Sequence, residues 1–223
     1  MTRPFTFGTC ALLGLLAVDS AALAEGGDSH SIAAKAGALG LGVEYTYSLN
    51  DQIGFRVGLN GSKLGFDAEE SGIAYDFDLV WDCLSVAVDF HPRRGPLRVT
   101  GGLLSNDNRI EAISRPAGNV TVGGTTYTPD EIGSLYGLVE FDSTAPFVGV
   151  GWDWSRKRER FGVSFDVGLV KQGAPRVILA ASGPIVSDPM FAPDIEAEQD
   201  ELTASMDGFD LLPYATLGLV FRF

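Results

Sequence analysis

Apolar and polar residues alternate along most of this chain. Leu39, Leu41, Val43, Tyr45 and Tyr47 alternate with Ala38, Gly40, Gly42, Glu44 and Thr46. Phe55, Val57 and Leu59 alternate with Gly54, Arg56 and Gly58. Leu84, Val86, Val88 and Phe90 stand against Cys83, Ser85, Ala87 and Asp89, and Leu97, Val99 and Leu103 against Arg98, Thr100 and Gly102. Val148, Val150, Trp152 and Trp154, then Phe161, Val163, Phe165, Val167 and Leu169, repeat the pattern. The chain closes on Ala215, Leu217, Leu219, Phe221 and Phe223 against Tyr214, Thr216, Gly218, Val220 and Arg222. Period two puts successive side chains on opposite faces of a strand. One face is large and aromatic, and the other carries Gly, Ser, Thr and charge. A soluble sandwich also alternates, but it buries its large apolar face. A transmembrane barrel with a polar lumen turns that face to lipid.

The connections point the same way. Ser48–Gln52, Pro92–Pro96 and Ser155–Arg160 are short, whereas 61–75, 105–144 and 172–213 are long. Short turns on one side and long loops on the other are the habit of outer-membrane barrels, with the long loops outside the cell. Seven strands are clear from the pattern. Barrels of this kind are even-numbered, and Ser29–Ala36 is the best stretch for the missing strand. The expectation is an all-β chain: an eight-stranded antiparallel transmembrane β-barrel with long extracellular loops, one containing a short helix. That helix falls in the last long connection. Asp188-Pro189 and Pro193-Asp194 offer caps and a first-turn proline, and Gly208 offers a stop. Phe191, Ile195, Leu202 and Met206 form its apolar face, expected to rest on or over the extracellular mouth. Gly123-Gly124, between Val120–Val122 and Thr125–Tyr127, reads as a hairpin tip.

The N-terminus has a basic start at Arg3, an apolar run from Phe5 to Val18 and Ala22-Leu23-Ala24. This is the layout of a secretory signal peptide over residues 1–24. The run is too short to span a bilayer as a helix. Residues 25–223 are then the outer-membrane barrel domain, with Cys83 as the one cysteine left and no intramolecular disulfide.

Composition adds a contrast. The chain has 223 residues, a net charge of -13 and a mean hydropathy of +0.14, so its charges must be concentrated. Acidity argues against a nucleic-acid partner. The acids crowd the long connections, with Asp194, Glu196, Glu198, Asp200 and Glu201 as an extracellular acidic mouth. The short turns carry Arg93, Arg94, Arg156, Lys157, Arg158 and Arg160. A field negative outside draws cations to the outer mouth.

Inward positions hold Glu44, Arg56, Asp89, Arg98, Asp153, Asp166 and Arg222, four acids against three bases. A turn centred on Asn50 sets Glu44 opposite Arg56, and one centred between Arg93 and Arg94 sets Asp89 opposite Arg98. An eight-stranded barrel is only wide enough for side chains to fill it, and buried charges must pair. The group is expected to form an ionic plug or a gate.

Catalytic chemistry is not expected. His30 and His91 are the two histidines; His91 precedes Pro92 in a short turn and His30 lies close to the mature N-terminus, so neither is expected to serve nucleophilic catalysis. Nothing has zinc spacing, and Asp194–Glu201 lacks the spacing and Gly of a calcium loop. The chain is read as a non-enzyme without cofactor or metal. Cys83 is read as a small inward-facing filler.

Three runs carry a resemblance: Ala145–Trp152, Phe161–Gly168, and Gly173-Ala174-Pro175-Arg176-Val177 leading to Ala181-Ser182-Gly183. The acidic helical stretch and Leu212-Pro213 add to it. On these the chain resembles small outer-membrane proteins of the CarO type, described as ornithine-uptake or carbapenem-resistance-associated porins. The resemblance implies an eight-stranded barrel with substantial extracellular loops and passage of small basic amino acids. Leu217, Leu219, Phe221 and Phe223 resemble the C-terminal signal read by the outer-membrane assembly machinery. The functional expectation is a narrow porin-like channel for small cationic solutes such as basic amino acids. The alternative is a non-conducting structural or surface-interaction barrel. The expected location is a Gram-negative outer membrane, and the expected partners are its lipid, the assembly machinery and small basic solutes.

Overall fold

The computed structural model describes residues 29–70, 73–156, 160–206 and 208–223. The expected leader, and Lys157 and Arg158 of the last short turn, lie outside them. The strands run β1 (His30–Gly37), β2 (Gly40–Ser48), β3 (Ile53–Glu70), β4 (Ile73–Phe90), β5 (Leu97–Asn106) and β6 (Arg109–Pro116). Next come β7 (Val120–Val122), β8 (Thr125–Tyr127), α1 (Pro129–Ile132), β9 (Leu135–Glu140), β10 (Thr144–Asp153) and β11 (Phe161–Lys171). The last are β12 (Arg176–Ala181), α2 (Phe191–Ser205) and β13 (Leu211–Arg222).

Eight strands close an antiparallel barrel in the order β1-β2-β3-β4-β5-β10-β11-β13, with β13 returning to β1. The strand expected over Ser29–Ala36 is β1, which pairs Ala34 with Val43 on one side and Leu219 on the other. Closure removes every edge within the membrane, where an unpaired backbone group has no water to bond.

The alternation sets the two surfaces. Leu41, Val57, Val86, Val148, Leu217 and Leu219 face outward and are exposed, as a lipid-facing band requires. Aromatic side chains gather at the end with the short turns: Tyr47, Phe55, Phe90, Trp154 and Phe161, with the Phe161 and Phe221 rings 4.9 Å apart. This is the girdle of an outer-membrane barrel. The turn between β2 and β3 is held locally, since Asn50 Oδ1 accepts from the amides of Gln52 (2.8 Å) and Ile53 (2.9 Å).

Leu39 departs from the expected pattern. It does not continue the lipid face of β2 but lies in the β1–β2 turn, folded into the lumen. Gly40, at φ +88°, provides the left-handed step that turns the chain there.

The long connections are also not loops throughout. Over 61–75 the β3 and β4 strands stay paired, from Gly61 with Asp82 to Glu70 with Ile73. A strand needs about 9–11 residues to cross a membrane, and these have 18 each. The excess forms an extracellular head. There β4 leaves β5 and pairs β6, followed by β9 and then β12. Gly123-Gly124 does form the tip of the β7–β8 hairpin. That hairpin, α1 and α2 share a cluster of Val120, Val122, Tyr127, Ile132 and Phe191, with Ile195 against it. The helix therefore packs on the head, against β12 and the hairpin. Leu202, expected on its apolar face, is exposed.

Candidate functional site

The lumen is filled in two layers. The lower is a chain of alternating charge. Arg222 Nη2 lies 3.3 Å from Asp153, and Asp153 lies 3.8 Å from Arg98. Arg98 donates from Nε (3.1 Å) and Nη2 (2.8 Å) to Asp166. Lys35 Nζ lies 2.7 Å from Asp166 and 2.9 Å from Glu44. Arg56 takes the other side of Glu44 at 3.1 Å and reaches Asp89 at 2.8 Å. Thr100 closes the end: it accepts from Arg56 Nη2 (3.0 Å) and donates to Asp89 (2.6 Å). Four cations thus alternate with four carboxylates. Asp89 is 1% exposed, and burial of this depth is tolerable only because each charge has opposite neighbours.

The upper layer is apolar. Leu39, Cys83, Ala87, Leu104, Ala145, Phe147, Val170 and Tyr214 form one buried cluster, with Phe147 edge-on to Tyr214. Cys83 sits in it as a small buried side chain. Between the layers lies a cavity of about 40 Å³, bounded by Lys35, Glu44, Arg56 and Asp166 below and Leu104, Phe147 and Tyr214 above. At about 10–15 Å³ per water, it has room for a few waters.

Register explains which expected pairs form. Glu44 lies opposite Gly58, and Arg56 opposite Thr46, so the turn is centred one residue later than expected. Glu44 and Arg56 still meet diagonally, since long side chains reach a partner two residues out of register. Asp89 lies opposite Thr100, and the expected Asp89–Arg98 pair does not form. The His91–Pro96 turn is likewise centred one residue later, and His91 Nδ1 sits 3.1 Å from the carbonyls of both Gly95 and Leu97. Asp89 turns to Arg56, while Arg98 of β5 reaches over Gly151 of β10 to Asp166 of β11.

The expected acidic mouth is not one cluster. Asp194 accepts from the Tyr127 hydroxyl (2.5 Å), and Glu198 from the Gly123 amide (3.0 Å), so both tie α2 to the hairpin. The Tyr127 hydroxyl holds the Asp194 carboxyl below its usual range, and the same bond raises the phenol. Glu196, Asp200 and Glu201 face solvent. A second acidic place appears where β4 changes partners. There a notch of about 620 Å³ is lined by Asp82, Asp107, Glu140 and Asp142, together with Arg109 and Arg176. Among the described residues, no group of three His, Cys, Asp or Glu is arranged to hold a metal ion.

No protein-family model and no curated protein sequence matches the chain. Solved structures do. Acinetobacter baumannii CarO aligns over 86% of this chain and 97% of its own, with a TM-score of 0.59 and 21% identity. Acinetobacter baumannii CarO2 aligns over 87% and 98%, with a TM-score of 0.59 and 22% identity. The chain has the CarO fold. It is an eight-stranded antiparallel barrel of the outer-membrane type.

One member of the ionic chain in this CarO-fold barrel was not singled out by sequence. Lys35 stands on β1, the strand with the weakest alternation. Its inward register, shared with Ser31 and Ala33, is the signal that marks it. Leu217 and Leu219 face lipid on β13, and the Phe221 and Phe223 rings lie 5.8 Å apart at its end.

Proposed function

We propose that this protein is a closed outer-membrane barrel whose activity resides in its extracellular head. The observation that carries this reading is the double filling of the lumen. An apolar layer covers a charge-balanced one, and about 40 Å³ is left between them. A solute would have to break buried ion pairs and part a packed apolar cluster to cross. Partners are then sought on the outer surface, and no enzymatic step is assigned. Planar-bilayer recording tests this. Absence of unitary openings across salt and pH is expected, and reproducible openings would overturn it.

A second reading is a gated channel for small cationic solutes such as basic amino acids. The acidity of the rim favours it: Asp82, Asp107 and Asp142 line the notch, and Glu196, Asp200 and Glu201 stand on α2. Its gate would be the ionic chain, exchanging partners as a cation passes. Arg56→Ala and Arg98→Ala should then change single-channel conductance, and unchanged conductance in both would remove this reading.

The location assigned under either reading is the Gram-negative outer membrane, after cleavage of residues 1–24. Leu217, Leu219, Phe221 and Phe223 are assigned as the strand read by the assembly machinery. Truncating Phe223 should slow membrane insertion in cells more than folding in detergent.

A further inference from the structure

We propose that the outer half of β3 is a docking edge for an extended peptide with alternating apolar and basic side chains. This rests on the reading of the head as an interaction surface and names the partner's chemistry.

The head sheet runs β3-β4-β6-β9-β12. Its two edges differ. At β12 the helix α2 lies alongside, and Gln199 Oε1 accepts from the Leu179 amide at 2.8 Å. At β3 the pairing with β2 stops at Gly61. Beyond it, among the described residues, Lys63–Glu70 pairs with β4 on one side and with no strand on the other. Eight residues at about 3.3 Å each make an edge of about 26 Å. A row of unpaired backbone donors and acceptors is a template for another strand.

The two faces beside this edge specify what that strand should carry. By register, Leu64, Phe66 and Ala68 share a face with Tyr75, Phe77, Leu79 and Trp81. This face continues the lumen side of the barrel above the mouth. Phe66 stacks on Phe77 at 5.2 Å, and Tyr75 on Phe77 at 5.9 Å. Farther along the sheet, the same side packs into the head cluster through Leu135 and Ala181. At β3 it is uncovered, with Leu64 55% and Phe66 46% exposed. The opposite face is acidic. It holds Lys63, Asp67, Asp76 and Asp78; Lys63 pairs with Asp78 at 2.8 Å, and Arg115 with Asp76 at 2.9 Å. Asp67, exposed and next to the edge, belongs to neither of those pairs. A strand added here places every second side chain against Leu64 and Phe66 and the others beside Lys63, whose charge Asp78 meets, and Asp67, which neither pair engages. Apolar residues suit the first set and Lys or Arg the second.

The test uses the full folded protein in detergent and a labelled ten-residue peptide of alternating Val and Lys, followed by fluorescence anisotropy. Saturable binding is expected. A Val/Glu peptide should bind at least tenfold more weakly, as should a Val/Lys peptide N-methylated at alternate residues. The double variant Leu64→Lys, Phe66→Lys should also lose at least tenfold, with unboiled gel mobility confirming that it folds. Should that variant not fold, the N-methylated peptide on the natural protein still decides. Equal binding of the N-methylated peptide overturns the proposal, as does no binding of the Val/Lys peptide. Self-association through β3 that excludes the peptide also overturns it, because the edge would then serve a second copy. Conductance is scored separately: a barrel that conducts yet binds the peptide removes the closed-barrel reading and leaves the edge in place.

Discussion

Lys35 and Asp166 meet at 2.7 Å on the inner wall of the barrel, from strands β1 and β11 that do not pair with each other but flank β13. Lys35 also holds Glu44, so it joins Arg98–Asp166 to Glu44–Arg56. With it the lumen carries four charges of each sign. Lys35→Met should therefore leave two buried carboxylates short of a partner, at a cost of about 3–5 kcal/mol. Urea unfolding in detergent, followed by tryptophan fluorescence, would measure it. Adding Asp166→Asn should cost less than the sum of the two single changes, because the pair is coupled.

Gly151 should be intolerant of any side chain. A Cβ there would overlap Asp166 Oδ1 and press on Arg98 Nε at 2.9 Å. Gly151→Ala should separate that bidentate pair and destabilise the barrel by about 3 kcal/mol. Gly101, across the same sheet, has nothing within 4 Å of such a Cβ. Gly101→Ala should unfold within about 0.5 kcal/mol of the natural protein in the same assay.

The docking of α2 on the β7–β8 hairpin should depend on pH at both ends of the range. Asp194 is depressed by its bond from Tyr127, so its contribution is present above the ordinary Asp value of 3.8 and is lost as pH falls through the lowered one. Tyr127 is raised by the same bond, so its contribution is present below 10.0 and is lost as pH rises through the raised value. Hydrogen-exchange protection over 120–127 should hold between these limits and decline beyond each. Tyr127→Phe should lower protection and flatten both declines; an unchanged profile would reject the linkage.

Leu217 lies at mid-strand on the lipid face. Leu217→Arg should cost about 2–4 kcal/mol when the barrel folds into vesicles. Thr216→Ser, one residue away but turned into the lumen, should not show that lipid-dependent penalty.

The candidate site was only partly legible in the sequence, because inward direction follows from period two but pairing depends on turn centres. Both turns are centred one residue beyond the expected point, which moves each cross-strand partner by two residues. Glu44 and Arg56 survived that shift because their long side chains span the diagonal. Asp89 and Arg98 did not. The Arg98–Asp166 contact joins residues 68 apart and forms once β10 pairs with β5 and β11; the Lys35–Asp166 contact joins residues 131 apart and forms only once β1 pairs with β13 to close the barrel.

The barrel is written in the order of the residues. Alternation decides which side chains meet lipid and which the lumen, and short turns against long connections orient the strands. The chain's contrast of apolar content and acidity follows from the same segregation. Tertiary structure alone decided that the lumen is electrically balanced, since Lys35 counts only when β1 completes the ring. It also decided that the long connections continue as a sheet. A paired strand and an alternating loop look alike in one dimension, and only a neighbour such as β6 or β9 supplies the hydrogen bonds that separate them.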